Sequence, residues 1–64
     1  MAKFQFSNVV VVDGNLIGVI LKTWNASSRR DTHYDVYVCY YNEIREYEEC
    51  EIKHFVYDKV LEED

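Results

Sequence analysis

Two histidines and two cysteines, His33, Cys39, Cys50 and His54, supply the ligand count of a structural zinc site. Their spacing works against one. His33 and Cys39 fall on a single extended segment, roughly 20 Å apart at about 3.3 Å per residue, which is too far for one ion. Cys50 and His54 could share a helical turn but make only half a site. Glu46, Glu48, Glu49 and Glu51 crowd together, and such a run is a solvated edge more simply than an acid/base dyad. Cys39 and His54 have the residue types for nucleophilic catalysis, yet nothing marks an activated thiolate. The chain has no Gly-rich phosphate loop and no nucleotide fingerprint. These residues point to binding without catalysis, with no metal or cofactor.

The aromatic residues are the stronger chemical clue. Trp24, Tyr34, Tyr37, Tyr40, Tyr41, Tyr47, Phe55 and Tyr57 exceed what so small a core can cover, and tyrosine is enriched on recognition surfaces. Alternation along the chain favours Trp24, Tyr37 and Tyr41 as surface positions. With Tyr47, Glu46 and Glu48 they would form an acidic, tyrosine-rich face for a basic or aromatic surface on a protein partner, in the manner of a binding module or small inhibitor. Arg29-Arg30 is the only adjacent basic pair, and it opens an alternative. A small nucleotide-like ligand could place its phosphate on Arg29 or Arg30 and its base on tyrosines, held between subunits of a homo-oligomer. The same tyrosines would serve equally to cover the second face of a small barrel.

Charge narrows the partner further. The 64 residues carry 12 acids and 7 bases, a net charge of −5. Residues 1–42 hold four bases and three acids (+1), and residues 43–64 hold nine acids and three bases (−6). Affinity for nucleic acid rests largely on phosphate neutralisation, so an acidic chain is a poor candidate for coating DNA or RNA. Lys3, Gln5, Asn8 and Asp13 interrupt the N-terminal apolar positions, leaving no signal-peptide core and no membrane span. A cytoplasmic location and reduced cysteines are the corresponding expectations.

The elements that must position these groups are β-strands. Proline is absent and glycine occurs twice, so nothing divides the chain and residues 1–64 read as one domain with a frayed acidic tail at 62–64. Apolar runs flanking Asp13-Gly14-Asn15 predict a hairpin, with a first strand around Phe4–Val12 and a second over Leu16–Trp24. Gly18 within the second strand marks a bulge, a bend or a close backbone approach. Asn25–Thr32 collects turn formers and predicts a solvated loop. A third strand over His33–Tyr41 places Tyr34, Val36, Val38 and Tyr40 on the more apolar face. Asn42-Glu43 turns the chain into a polar edge strand, Ile44–Glu49. A helical turn follows within Glu48–Phe55, with Ile52 and Phe55 on one side, and Val56–Leu61 closes the set.

This parts list is that of an SH3-like barrel. The succession Val9-Val10-Val11-Val12-Asp13-Gly14, Gly18-Val19-Ile20, Tyr34-Asp35-Val36-Tyr37-Val38 and Glu49-Cys50-Glu51-Ile52 resembles the KOW-type SH3-like barrels of ribosomal proteins and transcription elongation factors. The resemblance covers about residues 6 to 57. In size and strand plan the chain is also similar to small SH3-like proteins of Gram-positive bacteria and their phages. The resemblance implies an all-β, five-stranded barrel with one helical turn before the last strand. It also implies contacts with RNA through basic loops or docking on other proteins, as a ribosome-associated protein would make. Here the one basic loop pair is Arg29-Arg30.

Overall fold

The computed structural model describes residues 2–56. Five antiparallel strands form one sheet: β1 (Val9–Val12), β2 (Leu16–Trp24), β3 (His33–Val38), β4 (Glu43–Glu48) and β5 (Lys53–His54). A 3₁₀ turn, Glu49–Glu51, precedes β5. The strands lie in the order β4-β3-β2-β1-β5. Among the described residues β4 and β5 are free edges and do not pair with each other, so the sheet is not closed by hydrogen bonds. No described helix is long and apolar enough to cross a membrane.

The first hairpin forms as its turn residues require. Asp13 (φ 49°) and Gly14 (φ 87°) both take left-handed backbone, which Asp tolerates and Gly adopts freely, and Val12 pairs with Leu16 across them. Gly18 is needed for a close approach. A Cβ there would stand 2.6 Å from Val36 Cγ1 and 3.0 Å from the Tyr37 carbonyl, so its absence lets β2 lie against β3. The register shifts between Ile20 and Lys22, making Leu21 the irregular residue of a strand paired on both sides.

Strand register sorts side chains onto two faces, because paired residues point the same way. One face carries the core: Val10, Val12, Ile20, Tyr34, Val36, Val38 and Tyr47, joined by Phe4 and Ile52. Each Val or Ile buried this way contributes about 1.5–3 kcal/mol. Phe4 packs edge-on to Tyr34, with ring centroids 5.4 Å apart.

Three expectations are corrected. The first strand does not begin at Phe4. Asn8 Oδ1 accepts the Gln5 amide and Ser7 has φ 74°, so the segment turns before β1. Tyr40 does not share the core face. β3 ends at Val38, the Asn42 amide returns to the Val38 carbonyl, and Tyr40 in that turn is 77% exposed. The helical turn is shorter than Glu48–Phe55, because Ile52 leaves it to enter the core. Lys53–His54 is the fifth strand; of the expected closing strand Val56–Leu61, residues 57–61 lie outside the described residues, as do Tyr57 and the tail at 62–64.

Candidate functional site

The face opposite the core is the unusual one. Val9 pairs with Val19, Val19 with Tyr37 and Tyr37 with Ile44, which sets an apolar row across four strands. Phe55, whose amide donates to the Val9 carbonyl at 3.1 Å, stands at the β5 end of that row. Val9 is 42% exposed, Ile44 59% and Phe55 45%. Val11 and Ile17, paired with each other, lie in the row beside it, with the exposed Lys53 at its β5 end. Most antiparallel sheets with one solvated face alternate apolar and polar residues; β1 and the first half of β2 here are apolar on both faces.

On the other flank the same face becomes charged. Lys22, Asp35 and Glu46 form one row and Trp24, His33 and Glu48 the next. Lys22 Nζ lies 4.2 Å above the Trp24 ring, and Trp24 stacks parallel to His33 with centroids 6.0 Å apart. His33 Nε2 is 2.9 Å from Glu46 Oε2, the oxygen that also accepts Arg30 Nη1 at 2.9 Å. His33 Nδ1 lies 3.0 Å from the Asp31 carbonyl. Both ring nitrogens thus face acceptors; a doubly protonated ring donates to both and a neutral ring to one. Glu46 and His33 together tie the β2–β3 loop to the sheet, and Ser27 Oγ supports the loop from within by accepting the Arg29 and Arg30 amides.

The expected site residues therefore divide. Trp24, Tyr37, Glu46 and Glu48 share the outer face, with Arg30 brought onto Glu46. Arg29 is exposed in the loop and apart from them. Tyr41 and Tyr47 belong to a different structure, the clamp on the first hairpin turn. Their hydroxyls donate to Asp13 Oδ2 at 3.0 and 2.8 Å, and Arg45 lies over the Tyr41 ring. Burial, then the bond to the Asp13 carboxylate, pushes the Tyr47 hydroxyl up to about 12. The Asp13 bond raises Tyr41 in the same direction. Tyr47 is 7% exposed and is core with a polar tip.

Sequence reasoning overlooked His33 as an organising residue and the aliphatic half of the outer face, Val9, Val19 and Ile44. The signal was present in the doubly apolar run Leu16-Ile17-Gly18-Val19-Ile20, which marks a strand covered on both sides or left with an uncovered face. Below Glu48 a cleft of about 430 Å³ is lined by Lys3, Asp31, Thr32, Glu48, Glu49 and Cys50, among others, with three carboxylates to one ammonium. Among the described residues no group of His, Cys, Asp and Glu is arranged to hold a metal.

No protein family, no curated protein and no solved structure matches the chain.

Proposed function

We propose that this protein is a non-enzymatic binding module whose outer sheet face docks on a partner protein. The carrying observation is the apolar row Phe55–Val9–Val19–Tyr37–Ile44, exposed at Phe55, Val9 and Ile44 and half-buried at Val19 and Tyr37, beside Lys22, Asp35, Glu46 and Glu48. Contiguous exposed apolar surface with a polar rim is the usual form of a protein-docking site. The adjoining carboxylates favour a partner with basic residues at the rim, where charge sets specificity and association rate. Such a module suits a small inhibitor working in the bacterial cytoplasm and encoded by the cell or by a phage. The strand order and the 3₁₀ turn between β4 and β5 support an SH3-like plan for the fold, left open at β4.

The nucleotide-binding alternative is less well supported, because the Arg30 guanidinium is already engaged by Glu46 and a phosphate would have to displace that carboxylate. The RNA-binding alternative faces the same acidic surroundings.

A photo-crosslinking amino acid at position 44, compared with one at Ser28 in the loop, tests the reading. Adducts to one polypeptide from position 44 and none from position 28 are expected. Equal yields at both positions, or adducts to nucleic acid, would overturn it.

A further inference from the structure

Resting on that reading, we infer that the partner contributes an extended, Lys- or Arg-bearing segment that adds to the sheet as a sixth strand along the free edge of β4. Among the described residues β4 pairs on one side only, with β3, and all of its residues but Tyr47 are exposed. An edge of this length offers a row of backbone donors and acceptors to an incoming strand. Charges on edge strands normally deter pairing, so the identity of the charges selects what can pair. Within β4, Glu43, Glu46 and Glu48 outnumber Arg45, whose Nε already donates to Glu43 at 2.6 Å; Glu46 also holds Arg30, and Glu48 has no ion-pair partner among the described residues.

A second copy of the chain fits badly. Two β4 strands extending one continuous sheet must keep outer faces together, which restricts antiparallel pairing to alternate registers. The two central ones place Arg45 opposite Arg45 or Glu46 opposite Glu46, and like charges directly opposite destabilise a pair. A foreign strand with apolar residues beside Ile44 and cations beside Glu46 and Glu48 meets neither obstacle. Its apolar side chains would continue the row through Tyr37 and Val19. A cation near Glu48 also reaches the cleft that Asp31 and Glu49 line.

Hydrogen exchange of the full chain with the seven-residue peptide Thr-Lys-Thr-Lys-Thr-Ile-Thr, whose two Lys and one Ile share a face and stand opposite Glu48, Glu46 and Ile44 in antiparallel pairing, is the test, with the same peptide N-methylated at alternate residues as the control. The expected result is at least tenfold slower exchange at the β4 amides that do not bond to β3, abolished by N-methylation and weakened at least fivefold by Glu46→Lys with Glu48→Lys. Binding that perturbs Tyr37 and Ile44 but leaves β4 amides unprotected would overturn strand addition while leaving the docking face standing. No perturbation of either would count against both. Protection of β4 that rises with protein concentration without peptide would identify a second copy as the occupant and overturn the proposal.

Discussion

The Tyr34 hydroxyl donates to Glu49 Oε2 at 2.6 Å and accepts the amides of Lys3 and Phe4 at 3.0 and 3.2 Å. Glu49 Oε2 also accepts the Lys3 amide at 2.9 Å. One buried phenol and one carboxylate therefore hold the N-terminal segment, with its core residue Phe4, against the start of the 3₁₀ turn. Tyr34→Phe keeps the ring packing but leaves the Phe4 amide without its acceptor. It should cost about 1–3 kcal/mol, read as a lower urea midpoint at unchanged slope.

The same pair makes the protein acid-sensitive. The Tyr34 hydrogen bond, followed by the Lys3 amide, lowers the Glu49 carboxyl below its ordinary value of 4.5. A carboxyl lowered in the folded state adds stability above its unfolded value, and that stability disappears as pH falls through the folded value. Thermal midpoints should therefore drop as pH falls below 4.5 and through the lower folded value, and Glu49→Gln should flatten that part of the profile. An unchanged profile in the variant would remove Glu49 from the account.

Gly18→Ala should destabilise by about 1–3 kcal/mol through overpacking, since the new methyl meets Val36 Cγ1 and the Tyr37 carbonyl. Combining it with Val36→Ala should cost less than the sum of the single changes, a coupling that a double-mutant cycle measures. Additive costs would mean that β2 and β3 separate freely at this point.

Glu46→Gln removes the charge shared by Arg30 and His33. Both members of the Arg30–Glu46 pair are about half exposed, 46% each, and exposed pairs are worth only about 0–1 kcal/mol. Global stability should hardly move. Amide exchange over Ser27–Thr32 should nevertheless accelerate, because Glu46 is what draws that loop onto the sheet.

Much of this architecture is legible in the residues. Asp13-Gly14 marks the first hairpin because few other residues accept its backbone, and the period-two pattern of Tyr34, Val36 and Val38 locates the core face of β3. Gly18 signals a close approach, although the register shift lies at Leu21, where no residue type announces it. The β3–β4 turn was hidden because Tyr40 continues the alternation that Val38 ends; only the Asn42 hydrogen bonds to the Val38 and Cys39 carbonyls stop the strand. The candidate site was half legible. Tyr37, Glu46 and Glu48 follow from alternation alone. Val9, Val19 and Ile44 become one row only when three strand registers align them, and register is a long-range property. Tyr41 and Tyr47 look like surface groups by composition, yet Asp13, distant in sequence, claims both hydroxyls.

Native mass spectrometry of gently purified protein, wild type beside Ile44→Asp, tests the docking face most directly. Ile44 is 59% exposed, so the substitution should leave the fold intact, which amide spectra would verify. The account predicts a polypeptide retained by the wild type and lost from Ile44→Asp. A bare chain, a ligand of a few hundred daltons, or a polypeptide held equally by both forms would contradict it.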